Sequence, residues 1–551
     1  MGIKILGFLY RFIIIITILF LPVNIAIADD LVRVGITDNN FQNVLKQQVT
    51  VYGTSNCDIC DKETKKILFR VAPNTDITVT NLLSGMEVNV NNQGAVLRDF
   101  VIVCPTGLLG IKELKRKGKP AIYHGAFEFV QENARRGFYL VNLIELQEYL
   151  KGVVPNEMPV KFGLEALKAQ AVAARNYVIT PRSKTNKEFD VVDSVASQVY
   201  FGANTETDLA TQAVMETDGI VALYNHEPIL TLYSSTAGGY TESYSNAFSD
   251  NLTGAFPSIN KPYLTAVPDK DEFEPIDTDI KAREFYSVKI PSYDIESPYY
   301  RWQKEWTIEE LENVLKQTLV SQSKTGFITP VFRQGEELGN IKDIKVMKRG
   351  ESGKAMAVDL MTTKGCYRIS KELVIRRVFQ KGGISLPSAN VVFEKKSDNS
   401  GNLTNITAYG GGFGHGVGMS QYGAGYMATK LNQPYYNILR HYYKGISLGT
   451  KPVEVSNKEV EQVFWAPVGR AHIVIFGPSV PKITVMINGK TQEFNVTRTL
   501  FQKEAKIDIS RCIEDGQNKV LFYPTYFPMK VYIELVESYN TNTNKSLLGD
   551  E

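Results

Sequence analysis

The chain of 551 residues carries almost no net charge, with 61 basic residues against 59 acidic ones and a balance of +2. It has no tract of lysine and arginine, and a protein that neutralises nucleic-acid phosphates needs one, so nucleic acid is excluded as a partner. Cysteine is scarce, five in all. After the C-x-x-C of Cys57 and Cys60 no second pair of that kind follows, which leaves a structural zinc site without support. The glycine-rich run GGGFGHGVGMSQYGAG at 410–425 lacks the G-x-x-x-x-G-K-[ST] pattern. Nor does it follow a strand as a dinucleotide loop should, so a phosphate-binding loop is excluded. No G-x-S-x-G surrounds Ser234 or Ser235, which argues against a serine hydrolase. Internal repeats and long low-complexity runs are missing too, so the chain is not a solenoid.

What is present describes an exported, multidomain globular protein. The length exceeds one core and suggests two to four domains, and 43% hydrophobic with 22% charged residues is a globular composition. Lys4 and Arg11 precede the apolar run FIIIITILF, and Ala26-Ile27-Ala28 stands before Asp29 as a cleavage pattern. Pro22 and Asn24 leave the run short for a membrane span, so residues 1–28 read as a cleaved signal peptide, with an uncleaved anchor as the alternative. In an exported chain the cysteines point to a disulfide, either between Cys57 and Cys60 within a loop or from one of them to Cys104.

The pattern predicts an α+β fold: a β-rich catalytic region with few helices and a C-terminal all-β sandwich. Short alternating apolar runs fill residues 29–140. A core follows over 141–450, interrupted by an insertion around 262–400. There WTIEELENVLKQTL is an amphipathic helix with Thr307 as N-cap and Glu310 at capping-box spacing. Regularly spaced strands with N-G and D-G turns make a sandwich over 455–540, before a tail at 541–551.

The chemistry centres on VVPNEMPVKFGLEALKAQAVAAR at 153–175. Pro155 and Pro159 restrict the backbone around Glu157 and place its carboxylate in a preset loop corner. In the helix that follows, from Gly163 to Ile179, Leu164, Leu167, Ala171, Ala174 and Val178 form the buried stripe. Lys168 and Arg175 lie seven apart at its edge. A carboxylate, an ammonium and a guanidinium along one groove suit an anionic, polyhydroxylated substrate. His415 stands uncrowded between glycines as a candidate acid, base or donor, and glycine at this density lets backbone press against a ligand. The stretches DVVDSVASQVYFG at 190–202 and LYSSTAGGYTES at 232–243 add Gln198, Tyr200, Tyr233, Ser235 and Glu242, and Gln421 lies within the glycine run.

In this order, EYLKGVVPNEMP, EALKAQAVAARNY, DSVASQVYFG, YSSTAGGYTE and GGGFGHGVGMSQYGAGYMA resemble the stage II sporulation protein D family, which includes the LytB amidase enhancers. The resemblance runs from about Leu31 to Gly445 and leaves out the C-terminal β region. It implies action on bacterial cell wall: lytic transglycosylase cleavage of glycan strands stripped of stem peptides, leaving 1,6-anhydro ends. The alternative is a non-catalytic wall-binding enhancer of an N-acetylmuramoyl-L-alanine amidase. It places the catalytic glutamate on Glu157 and a functional lysine on Lys168, with Arg175, Gln198, Tyr200, Tyr233, Ser235, Glu242, His415 and Gln421 as candidate substrate contacts. Some members bind zinc through Cys and His in the S-S-T-x-G-G region. YSSTAGGYTE has neither residue, so no metal or other cofactor is expected here. The partners expected are peptidoglycan glycan strands and a wall amidase.

Overall fold

The computed structural model describes residues 31–536 except 135, 181–186, 271, 468–469, 478–479 and 498–503. The expected signal segment and the tail at 541–551 lie outside the described residues. Among the described residues no helix is long and apolar enough to cross a membrane.

The N-terminal part is built from two sheets whose apolar faces share one core, antiparallel except where Val191–Val192 pairs in parallel with Leu31–Gly35. One has eight strands, with Leu31–Gly35, Phe138–Glu145, Ala126–Gln131, Phe100–Val103, Cys57–Asp61 and Ile67–Val71 as neighbours in that order. The other has six, centred on Leu109–Arg116, Gln48–Gly53 and Ile77–Leu82. Alternation of buried and half-buried residues along Gln48–Gly53 is the period of two that the sequence carries.

The C-x-x-C corrects one expectation. Cys57 and Cys60 belong to a strand, Cys57–Asp61, instead of a loop. Three residues of strand set Cα atoms roughly 10 Å apart, beyond disulfide reach. Cys57 continues the antiparallel register Asp58↔Val103 and so lies beside Cys104, the residue that follows the neighbouring strand Phe100–Val103. All five thiols are free in this structure, and burial pushes that of Cys57 up to about 12.

Strand Phe138–Glu145 runs directly into helix α1 (Leu146–Glu157), capped by Glu145, whose carboxylate accepts from the Gln147 and Glu148 N–H groups. Helix α2 (Leu164–Ile179) follows after Gly163, whose φ of 85° only glycine adopts readily. It ends at Thr180 in the extended conformation imposed on a residue before proline. Its alanines make α2 a central helix buried nearly all round, packed by α1, by the helices Asp208–Met215, Gln421–Thr429 and Tyr435–Tyr442, and by strand Ile220–Tyr224.

The C-terminal β region is not set apart. Ile220–Tyr224 pairs with Ser447–Thr450, and that strand pairs with Met529–Val536, which in turn neighbours Arg470–Phe476. A seven-stranded sheet therefore crosses from the core into the C-terminal part. The other sheet of this part holds Val460–Ala466, Gly516–Phe522, Lys482–Ile487 and Lys490–Asn495.

The insertion has a hydrophobic core of its own, from Trp302 to Ala408, formed by a three-stranded and a four-stranded sheet and two helices. Helix Ile308–Ser323 is capped as expected, Thr307 Oγ1 accepting from the Glu310 N–H at 3.2 Å. The Glu310 carboxylate does not complete a capping box. It pairs with Lys381 at 2.6 Å.

Candidate functional site

Glu157 is the last residue of α1, and Pro155 lies inside that helix, so the expected loop corner is the final helical turn. A proline lacks the N–H that would bond four residues back, a substantial cost in a helix interior. Packing offsets it, since Val153, Val154 and Pro155 are buried. Asn156 Nδ2 donates to the Gly152 carbonyl at 2.7 Å, and the missing side chain of Gly152 admits the Tyr200 ring.

The carboxylate of Glu157 is half-buried and accepts a hydrogen bond from the Val199 N–H at 2.5 Å, and the Gln421 amide nearby also favours its charged form. Removal from water pushes its carboxyl up to about 7, even though Val199 and Gln421 both favour the charged form. Tyr149 and Tyr233 face it. Burial first, and the Glu157 charge next, hold both phenols well above their ordinary value. Gln198 stands behind them, accepting from Tyr149 OH at 3.1 Å and donating to Tyr233 OH at 2.9 Å.

Two loops bring Gln421 and Tyr233 to α1. Tyr233–Ser234 pairs in parallel with Met419–Ser420, and the Tyr422 N–H donates to the Ser235 carbonyl at 3.0 Å. Glycine is needed where the loops cross. Gly238 has φ of 86°, and a Cβ there would meet the Gly411–Gly412 backbone at 2.9 Å. The close approach that the glycine run permits is thus to the neighbouring loop.

Of the residues expected at the site, Glu157, Gln198, Tyr233 and Gln421 come together. Ser235 is half-buried on the same loop, its hydroxyl 3.3 Å from that of Thr236. His415 is half-buried, its Nδ1 accepting from the Val417 N–H at 3.0 Å and its ring set edge-on to Phe248. Three others are sealed in the interior, which corrects their expected place on a substrate groove. Tyr200 is 1% exposed and donates to Asn142 Oδ1 at 2.8 Å. Arg175, expected at the edge of the stripe, is 2% exposed and donates to the Ile220 carbonyl and Gln147 Oε1. Glu242 is wholly buried, accepting from the Ser243 N–H, Asn246 and Ser352, and burial with the neighbouring Glu351 pushes it up to about 7.

Lys168 pairs with Glu165 at 2.8 Å and Glu216 at 2.7 Å. Burial works against its charge, and the hydrogen bonds to these carboxylates outweigh that, holding the ammonium above its ordinary value. Both of the carboxylates it pairs with are other than Glu157. Lys168→Ala is therefore expected to destabilise the fold by about 1 kcal/mol, read by denaturant unfolding, with affinity for glycan strands unchanged. Weaker binding at unchanged stability would restore Lys168 as a ligand contact.

Two contributors escaped the sequence reading. Gln170 on α2 is fully buried and accepts from Gln421 Nε2 at 3.2 Å, aligning the amide that serves Glu157. Its one signal was a polar side chain on an alanine-rich helix. Asp193, in the stretch that carries Val199, accepts from Thr37 N–H at 2.9 Å, Thr37 Oγ1 at 2.6 Å and Arg116 at 2.6 Å. Among the described residues the metal-ligating types meet at His124, Glu148 and Glu206. There His124 Nε2 already lies 3.2 Å from Glu206, and Lys151 pairs with Glu148. The loop 232–243 offers hydroxyls and one carboxylate, Glu242, with no cysteine or histidine. Activity is accordingly expected to survive chelation, and one tightly held zinc per chain whose removal abolishes activity would refute this.

A family model described as stage II sporulation protein matches residues 134–224, and one described as a domain of unknown function matches residues 250–418. The stage II sporulation protein D of Bacillus subtilis (strain 168) is 32% identical over 324 residues, 56% of this chain and 75% of that protein. The amidase enhancer of the same strain is 31% identical over 317 residues, 54% of this chain, which spans 40% of that protein's length. An uncharacterized protein of Brachyspira hyodysenteriae (strain ATCC 49526 / WA1) is 30% identical over 397 residues, 71% of this chain and 87% of that protein. Glu157, Gln198 and Val199 lie within the stretch matched to the first model, Tyr233 lies just beyond it and Gln421 just beyond the second, and the chain belongs to the stage II sporulation protein D family.

Proposed function

We propose that this protein remodels bacterial cell wall outside the cytoplasm as a lytic transglycosylase acting on glycan strands stripped of stem peptides. The observation that carries the reading is Glu157 itself. It is a half-buried carboxyl whose proton affinity is raised to about 7 by removal from water, held by the Val199 N–H and the Gln421 amide. A group that titrates near neutrality exchanges protons in both directions, as general acid–base catalysis requires.

Protonated Glu157 gives its proton to the glycosidic oxygen as the bond from that oxygen to C1 of the muramic sugar breaks. The carboxylate left behind takes the proton of the C6 hydroxyl as O6 bonds to C1. The products are a 1,6-anhydro end and a free hydroxyl on the departing sugar, and Glu157 ends protonated. Because the nucleophile belongs to the same sugar, its effective concentration is high and no water has to be placed. One carboxyl is enough, whereas a hydrolase needs a second to activate water.

The test is mass analysis of denuded peptidoglycan incubated with purified protein. Anhydro-muramic ends are the expected product. The relative called an amidase enhancer motivates a second reading, a wall-binding module that stimulates an amidase without cleaving glycan. Stimulation of a wall amidase with no anhydro ends from denuded strands would establish it.

A further inference from the structure

The insertion reaches the back of the site through buried carboxylates that the reaction does not use. Asp294 is wholly buried, and its Oδ2 accepts from the Gly238 N–H at 2.7 Å and from Ser420 Oγ at 3.4 Å. Those two partners belong to the two loops that cross in front of α2. Ser420 also accepts from the Ala237 N–H at 3.3 Å and caps the helix Gln421–Thr429 through the Gly423 N–H. The residue after it is Gln421, whose amide is fixed by Gln170 Oε1 at 3.2 Å and favours the charged form of Glu157.

Asp294 is itself fixed. Ser292 Oγ lies 3.0 Å from Asp294 Oδ1 and 2.7 Å from Asp269 Oδ2, and the Asp269 N–H donates to the Gly239 carbonyl. Asp269 is 1% exposed. Around this pair the insertion makes further ties to the same loop: Ser297 Oγ to Thr236 Oγ1 at 2.6 Å, Arg301 to the Gly238 carbonyl at 3.0 Å and Asn390 to the Ala237 carbonyl at 3.2 Å. Two carboxylates placed in the interior are costly unless their position is used. Here Asp294 bonds the Gly238 N–H of the loop, and Asp269 fixes the segment that carries Asp294 by accepting from Ser292 Oγ and from the Tyr293 N–H at 3.1 Å.

We propose that Asp294 is a positioning residue for Glu157. It clamps the loops 233–241 and 413–421 together so that Gln421 meets the carboxylate in a water-poor setting, and the insertion is thereby an integral part of the site. This rests on Glu157 as the acid/base of the proposed function. A displacement of about 1 Å far from the reacting atoms can cost about 10²-fold in rate. Asp294→Ala is expected to lower kcat on denuded strands by about that factor with KM little changed, and Asp294→Asn to recover most of it, since its amide oxygen still accepts from Gly238.

A merely structural residue would not change how Glu157 titrates. Carbon-13 NMR of carboxyl-labelled glutamate, with Glu157→Gln used to assign the resonance, follows that titration without any turnover. In Asp294→Ala the Glu157 midpoint should fall toward the ordinary carboxylate range, as water enters beside Tyr149, Tyr233 and Gln421. An unchanged midpoint with unchanged kcat in the folded variant would overturn the proposal. If Asp294→Ala does not fold, Ser297→Ala cuts another buried tie without opening a large hole, and its Glu157 midpoint decides in the same way. Should wild type release no anhydro ends, the proposed function fails, while the NMR titration still tests the clamp.

Discussion

Glu157→Gln is expected to lower the release of anhydro ends from denuded strands by at least ~10²-fold to 10⁴-fold while strand binding persists. Glutamine keeps the shape and still accepts from the Val199 N–H, but it cannot pass a proton. Wild-type turnover should fall as pH rises through about 7, because the step begins with the protonated acid. The sign for stability follows from the same shift. The folded-state value of about 7 lies above the ordinary 4.5, so the stability carried by the neutral form is full below pH 4.5 and is lost as pH rises through about 7. Glutamine does not ionise, so above pH 7 the variant should unfold at higher denaturant than wild type. A variant that retains wild-type turnover would remove Glu157 from the chemistry.

The largest effect on stability is expected from Asp193→Ala, a loss of about 3–5 kcal/mol in denaturant unfolding. Arg116 and Asp193 are 1% and 0% exposed, and their 2.6 Å pair joins the N-terminal sheets to the stretch that carries Gln198 and Val199. Alanine leaves a buried guanidinium beside Thr37 and strips the acceptor from the Thr37 N–H. Turnover should drop as well, since the Val199 N–H depends on that stretch. Adding Arg116→Met removes the unpaired charge and should return part of the lost stability. A cost below about 1 kcal/mol for Asp193→Ala, or no recovery in the double variant, would show that the pair matters little.

Much of this architecture could be read along the chain. The helix from Gly163 to Ile179, the Thr307 cap and the C-terminal strands depend on periodicity, caps and turns that operate over a few residues, and the sequence alone determined them. The family resemblance of its motifs also marks Glu157 as the candidate acid/base, with Gln421 among the candidate contacts. Tertiary structure decided the rest. Proline rules place Glu157 in a loop, yet burial of Val153, Val154 and Pro155 keeps the helix through it. Helical spacing sets Arg175 at the edge of the buried stripe, on a groove, but the carbonyl of Ile220 and the amide of Gln147 let it go inside. The donor that holds Glu157 is the backbone N–H of Val199, 42 residues away, and a backbone group has no side-chain signature. The raised proton affinity of Glu157 has the same origin. Every residue type carries that N–H, and only the packing of distant segments sets where it points and how much water remains beside the carboxyl.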